Sequence, residues 1–323
     1  MPLLREPIDK ATLKKHQDIL AHKFCVQSVE IKEVHGGWSA RAFAVETNEK
    51  RYFLKVYDST QQAVQPWIER IDHYISVLGW LAQTAALQGR IVTPVATPKG
   101  EYKVESGTNV YLLFDYVDGP TLGTLNCEQL TELASILARL HGLEVEGLAD
   151  LAELQEDTSL LFCQRLGEFL SSEHQGGNLG NFLQPYRATL LAAIHRTLRL
   201  RDSVRLGAPP LSLCHTDAHG NNVIQGDKLV LADWEGLCVA PVEADLFMYT
   251  SDPNWDAFIG AYRLSRPGFV LNEDMLLFYQ CRRYLEDIWY YLTRLLHDHP
   301  GEKEAEEVYI RLRRIVALME KAV

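Results

Sequence analysis

The stretch Leu213-Cys-His-Thr-Asp-Ala-His-Gly-Asn-Asn-Val223, followed by Leu229-Val-Leu-Ala-Asp-Trp-Glu235, decides how the rest of the chain is read. It has the form His-x-Asp-x-x-x-x-Asn, then a short apolar run ending in Asp, with His215, Asp217, Asn222 and Asp233 at the marked positions. Phosphoryl transfer from ATP needs a carboxylate at the attacking hydroxyl, and an amide with a second carboxylate to hold metal ions. Asp217, Asn222 and Asp233 supply that set in order. A lone Asp followed by an Asn is common by chance. The match is specific because spacing, residue type and the intervening turn and strand all agree.

Upstream, Lys55 lies in Arg51-Tyr-Phe-Leu-Lys-Val-Tyr57, a strand pattern with Leu54 and Val56 on one face. Alone it reads as an exposed strand lysine. In company with the downstream loop it reads as the lysine that neutralises ATP phosphates, held in place by a helix Glu. Glu69, on a helix beginning at Pro66, is the expected partner, with Asp72 in reserve. His35-Gly-Gly-Trp-Ser39 joins two strands before Lys55. Gly36, Gly37 and Ser39 would let backbone N–H groups approach phosphates. There is no GxxxxGK[ST], so a P-loop enzyme is set aside. The run from Val110 to Pro120 leaves a buried strand for a Gly-Pro breaker. It reads as a hinge offering the Asp115 carbonyl and Val117 amide to an adenine edge, or more plainly as a strand-to-helix linker.

At 323 residues the chain can form two lobes with cores of their own. Hydrophobic residues at 47% and charged residues at 23% are ordinary for a soluble globular protein. Lys plus Arg number 32 against 43 Asp plus Glu, a formal charge of −11, which argues against a nucleic-acid partner. The acidity suits a cationic ligand, or solubility alone. Six scattered cysteines without a CxxC pair read as free buried thiols of a reducing compartment, the cytoplasm, rather than a zinc site. The N-terminal MPLLREPIDK acquires charge too early for a secretory signal, and no apolar run approaches the roughly 18 residues of a membrane span.

Periodicity predicts a helix over 9–24 behind an Asp9 cap and strands over 26–34, 40–47 and 51–57. A helix over 66–87 follows, then strands over 101–105 and 109–114. Beyond residue 127 the pattern turns helical: Leu130, Leu133, Leu137 and Leu140 share one face until His141-Gly142. Further helices are expected over 158–171, 184–204, 273–297 and 302–321. The fold class is α+β, with a small β-rich lobe over 1–114, a hinge over 115–118 and a larger helical lobe over 119–323. The helix near 279–296 mixes Arg282, Arg283, Glu286 and Asp287 with Tyr284, Trp289, Tyr290 and Tyr291. That mixture suits a pocket for an amino-bearing polyol. It equally suits a solvated face whose carboxylates pair with the arginines at i,i+4. His215 and His219 lack a third metal ligand nearby and read as structural. Asp245 either braces the loop by accepting backbone N–H groups or caps a helix.

Together these residues resemble the aminoglycoside phosphotransferase family, which shares the protein-kinase-like fold. The family loop His-Gly-Asp-x-His-x-x-Asn appears as His215-Thr-Asp217-Ala-His219-Gly-Asn-Asn222. Within the family the chain is similar to the spectinomycin phosphotransferase type. That similarity runs through Gly36-Gly37, Ala42-Phe-Ala44, Tyr52-Phe-Leu-Lys55, Asp233-Trp-Glu235, Ala240-Pro241, Asp245-Leu246 and Leu285-Glu-Asp-Ile288. The resemblance implies Asp217 as catalytic base, Asn222 and Asp233 as magnesium ligands, and Lys55 on the ATP phosphates. It also implies an acceptor cleft in the helical lobe, with Glu235, Glu286 and Asp287 around it. Two departures stand out. Thr216 replaces the usual Gly, read as a mild change, and Arg41 stands where the spectinomycin type carries a small polar residue.

The expectation is an ATP- and Mg²⁺-dependent kinase acting on a hydroxyl of an aminoglycoside, aminocyclitol or similar amino-bearing compound. The alternatives are a metabolite kinase of the same fold, acting on an amino alcohol, homoserine-like or sugar substrate, or a catalytically silent nucleotide-binding module. Intact Asp217, Asn222, Asp233 and Lys55 weigh against the silent module. Ala240-Pro241 follows closely on Asp233 with no Ala-Pro-Glu segment, which argues against a peptide acceptor.

Overall fold

Apolar alternation in one strand explains how the first half of the chain is layered. The computed structural model describes residues 8–34, 39–144, 153–172, 177–298 and 300–322. Helix α1 (Lys10–Lys23) is capped by the Asp9 carboxylate, which accepts the Thr12 N–H at 2.7 Å. Strands β1 (Glu30–Val34), β2 (Arg41–Glu46), β3 (Arg51–Asp58), β4 (Lys103–Ser106) and β5 (Asn109–Asp115) form an antiparallel sheet in the order β1-β2-β3-β5-β4. Helix α2 (Gln65–Gln83) separates β3 from β4 in the chain. Tyr111 and Leu113 of β5 pack with Leu20 and Phe24 of α1, while Val110, Leu112 and Phe114 join Ile71, Tyr74 and Leu78 of α2. A strand covered on both faces needs apolar residues at every position, hence the unbroken run. In β3 the same alternation sends Leu54 and Val56 towards α1 and turns Lys55 and Tyr57 to the opposite side.

The second half is mostly helical. It comprises α3 (Cys127–His141), α4 (Leu161–Ser171), α5 (Gly177–Leu183), α6 (Arg187–Leu206), α7 (Glu243–Leu246), α8 (Trp255–Ser265), α9 (Glu273–Thr293) and α10 (Glu302–Ala322). Between α6 and α7 lie four short strands, β6 (Ser212–Cys214), β7 (Val223–Gln225), β8 (Leu229–Leu231) and β9 (Cys238–Ala240), paired β6 with β9 and β7 with β8. An Asn126–Gln129 capping box starts α3, and Leu130, Leu133, Leu137 and Leu140 are all fully buried. Among the described residues no helix is long and apolar enough to cross a membrane.

Three boundaries and one added helix depart most from the periodicity reading, each for a local reason. Residues 25–29 are not strand: the Val26 N–H bonds back to the Leu20 carbonyl at 3.0 Å and Cys25 is left-handed, closing α1. Helix α2 stops at Gln83, because Thr84 turns extended and the next residues form turns that bury Leu87. Helix α9 ends at Thr293 and continues as a π-helical turn over Arg294–Asp298. There the Asp298 carboxylate accepts the Gln62 N–H at 2.8 Å and Arg294 donates to Gln61 at 2.8 Å, so docking against the start of α2 reshapes the turn. Helix α8 was not expected; it buries only Phe258, Ile259 and Tyr262, a stripe too short to stand out as a period.

Candidate active site

Local pairing brings the candidate metal ligands together. In the β7–β8 hairpin Val223 pairs with Leu231, and the Ala232 N–H donates to the Asn222 carbonyl at 2.8 Å. Asn222 and Asp233 therefore emerge side by side from neighbouring strand ends. Pairing of Cys214 with Cys238 likewise lays the His215 loop against the segment that follows Asp233. The segment after β5 leans on the same hairpin: the Gln225 N–H donates to the Pro120 carbonyl at 2.9 Å. A Cβ at Gly119, whose φ is +144°, would collide with the Gln225 carbonyl, so this crossing needs glycine.

Asp245 organises the catalytic loop from beneath. Its carboxylate is fully buried and accepts the His215 N–H at 2.9 Å, the Thr216 N–H, and His141 Nε2–H at 2.8 Å. It lies inside α7 rather than at its N-cap. His141 Nδ1 in turn faces the Tyr262 hydroxyl at 2.8 Å, so its ring is committed at both nitrogens. His141, Cys214 and Asp245 cluster closely enough to suggest a metal site, but these bonds already use the histidine and the carboxylate. Burial also pushes the Cys214 thiol up, away from the thiolate a metal needs. His215 sits with Nε2 at 2.9 Å from the Ala232 carbonyl and Nδ1 at 3.2 Å from the Asp217 N–H. That requires Nε2–H to donate and Nδ1 to accept, a neutral ring. Burial lowers the imidazole pKa against the pull of Asp245 and Asp217 and keeps it neutral.

Replacement of the family glycine by Thr216 is not mild. Thr216 has φ +64°, a left-handed conformation that a β-branched residue adopts at a cost of order 1–3 kcal/mol. Its hydroxyl donates to the Gly236 carbonyl at 2.9 Å, tying the catalytic loop to the segment after Asp233. A Cβ at Gly236 would collide with that hydroxyl, so the two residues are matched.

Asp217 follows directly. Asn222 Nδ2 donates to its Oδ2 at 3.0 Å and to its backbone carbonyl at 2.8 Å, fixing the carboxylate. Arg283 Nη1 lies 2.9 Å from Oδ1 and His219 Nε2 lies 3.5 Å from it. Neither contact is aligned as a hydrogen bond, and Oδ1 has no donor among the described residues. With its NH₂ spent on Asp217, Asn222 keeps its amide oxygen for a cation.

Lys55 does not pair with Glu69. Its ammonium, almost fully buried, contacts Asp233 and lies 2.8 Å from Glu235 Oε1. Glu235 also accepts from the Tyr57 hydroxyl, and its Oε2 accepts from Ser39 Oγ at 2.8 Å. Burial disfavours the charge on Lys55, but Asp233 and Glu235 outweigh it and raise the lysine pKa. Glu69 stays on the exposed side of α2, and Asp72 pairs with Lys103. Glu235, expected around the acceptor, is therefore taken up by donors of the β-rich lobe, and Ser39 spends its hydroxyl on it. Gly36 and Gly37 lie outside the described residues. Arg41 pairs with Glu33 at 3.3 Å. Asp115 accepts from Lys50 at 2.7 Å through its side chain, and Val117 is half-buried against the core.

Ser39, Thr216, Asp217, His219, Asp233 and Glu235 border a cleft of about 1240 Å³ between α2, the His215–Asn222 loop, α9 and α10. Glu286 and Asp287 line it but are engaged one turn back: Arg282 Nε donates to Glu286 at 2.8 Å and Arg283 Nε lies 3.1 Å from Asp287. Arg282 also contacts Glu156, to which Tyr279 donates at 2.8 Å. Periodicity could show the i,i+4 pairs. It could not show that Arg283 reaches Asp217, nor that Glu156 and Tyr57 belong to the site, because those contacts join distant segments.

No curated protein matches the chain. Among solved structures it is similar to a spectinomycin phosphotransferase bound to ADP and spectinomycin, with TM-score 0.73 and 18% identity over 98% of this chain and 99% of that one. It is also similar to a microcompartment-associated aminopropanol kinase, with TM-score 0.66 and 18% identity over 96% and 97% of the two chains. The choline kinase of Streptococcus pneumoniae has TM-score 0.63 and 13% identity over 95% and 99%. At such identities the likeness establishes the protein-kinase-like fold. The sequence pattern of the phosphotransferase enzyme family matches residues 30–269, most of the chain and all of the loop built around Asp217, and the chain belongs to that family.

Proposed function

We propose that the chain is an ATP- and Mg²⁺-dependent kinase that transfers the γ-phosphate to a hydroxyl of a small, amino-bearing acceptor. The observation that carries this reading is the convergence of four residues: Asp217 and Asp233 line the cleft, with Asn222 bonded to the first and Lys55 to the second. The amide oxygen of Asn222 and the carboxylate of Asp233 are hard donors of the kind magnesium takes. Bound there, the ion would offset negative charge on the phosphates. Lys55 adds a fixed ammonium, and Asp217 orients the acceptor hydroxyl and takes its proton as that oxygen attacks. In this reading residues 115–118 form a hinge between lobes 1–114 and 119–323, offering the Asp115 carbonyl and Val117 amide to the adenine.

Two arginines, Arg282 and Arg283, share four carboxylates, Glu156, Glu286, Asp217 and Asp287, so this part of the cleft stays net negative. That excess supports a cationic nitrogen on the acceptor without a dedicated role for Glu286 or Asp287. The relatives named for spectinomycin, choline and aminopropanol support a nitrogen-containing alcohol. Free cysteines support a reducing compartment, the cytoplasm. The test is transfer of labelled γ-phosphate from ATP to spectinomycin, aminopropanol, choline and homoserine, with Asp217→Asn as control. Mg²⁺-dependent labelling of at least one alcohol by the parent chain is expected. Absence of Mg²⁺-dependent ATP binding in calorimetry would overturn the reading.

A further inference from the structure

The carboxylate placed to take the acceptor proton is covered. Asp217 Oδ2 is committed to the Asn222 amide at 3.0 Å, so an incoming hydroxyl has only Oδ1 to receive its proton. That oxygen is sealed from solvent yet has no hydrogen-bond donor among the described residues. Arg283 lies over it, with Nη1 at 2.9 Å, and His219 Nε2 stands at 3.5 Å. Arg283 also has a second perch. Its Nε is 3.1 Å from Asp287 Oδ1, one turn along α9, and 32% of its side chain faces the open cleft. A guanidinium can hold carboxylates at both ends. Released from Asp217, it keeps its pair with Asp287.

We infer that Arg283 selects acceptor over water: without acceptor it covers Asp217 Oδ1, and an acceptor filling the cleft displaces it onto Asp287. This rests on the phosphotransfer reading above. The reaction held in check is hydrolysis. A water oxygen would bond to the γ-phosphorus while the bond from that phosphorus to the β–γ bridging oxygen breaks. ADP would leave with the electron pair, and the water proton would pass to Asp217 Oδ1 and on to solvent. The covering side chain leaves water no site beside the carboxylate. Arg283 works through Asp217, as a positioning residue.

Phosphate release from Mg·ATP in the absence of any acceptor tests this, measured for the parent chain, Arg283→Gln, Arg283→Lys and the double variant Arg283→Gln with Asp217→Asn. Calorimetry with Mg·ATP accompanies each. Arg283→Gln is expected to raise hydrolysis about two- to fivefold, the scale of one partly exposed charge pair, at unchanged Mg·ATP affinity. Arg283→Lys keeps the charge without the two-ended reach and should fall between. Adding Asp217→Asn should abolish the rise. Hydrolysis in Arg283→Gln equal to or below the parent overturns the inference, as does a rise that survives loss of Asp217. A chain that binds no Mg·ATP removes the phosphotransfer reading and this inference with it.

Discussion

Glu235→Gln tests which carboxylate holds Lys55. The substitution keeps shape and leaves an amide oxygen for Lys55 and Tyr57, while the Ser39 hydroxyl can turn to accept from the new amide. What is lost is charge. In the nucleotide-free protein Lys55 retains Asp233, so the loss is one charged hydrogen bond, about 1.5–3 kcal/mol, rather than an orphaned buried cation. Across a chain of 323 residues that lowers the melting temperature by about 2–4 °C. The larger effect falls on the nucleotide complex. Once Asp233 is engaged on a metal, Glu235 is the carboxylate left to Lys55, and the Kd for Mg·ATP should rise by about tenfold or more. Glu69→Gln is the comparator: an exposed cleft residue without a contact to Lys55, it should leave stability within about 0.5 kcal/mol and change nucleotide affinity less than Glu235→Gln does. Scanning calorimetry and titration with Mg·ATP measure both quantities. Loss of affinity in Glu69→Gln with Glu235→Gln unaffected would refute the assignment and return Lys55 to α2.

Asp217→Asn should keep Mg·ATP binding while lowering phosphotransfer by a factor of about 10² or more; parent-like turnover with an active acceptor would take Asp217 out of the base role. Asp245→Ala would orphan the His215 and Thr216 N–H groups and His141 Nε2–H, at about 1–3 kcal/mol each, so denaturant titration should lose about 3 kcal/mol or more. A loss below about 1 kcal/mol would show that the loop does not hang on this carboxylate. His16 is buried beside Tyr111, and burial, aided by Lys15 and Arg41, pushes its imidazole from 6.5 down to about 4. Its folded pKa lies below the unfolded one, so its contribution is intact above pH 6.5 and is lost as pH falls from 6.5 towards 4, by roughly 3 kcal/mol in all. His16→Gln should flatten stability across that window, and an unchanged slope would refute the assignment.

Much of the site was legible without coordinates because its parts are held by local geometry. Asn222 and Asp233 flank a single hairpin, so their adjacency follows from the strand pairing between Val223 and Leu231. Lys55 turns towards Asp233 and Glu235 because Leu54 and Val56 face the core against α1, a consequence of the two-residue period. The α3 stripe and the unbroken apolar run of β5 were readable on the same grounds, since burial imposes period wherever an element meets a core. Charge partners obey no period. Glu235 reaches Lys55 across 180 positions, while Glu69, nearer in sequence, makes no contact with it. Arg283 covers Asp217 only because α9 packs beside the catalytic loop. The backbone of Thr216 is equally invisible in its residue type: only the packing of Asp245 beneath it and Gly236 beside it holds a threonine left-handed. Short-range periodicity and hairpin pairing are written in the order of residues. Coulombic pairing, shielding and backbone strain depend on which distant segments the folded cores bring within a few ångströms, and the tertiary structure alone decides that.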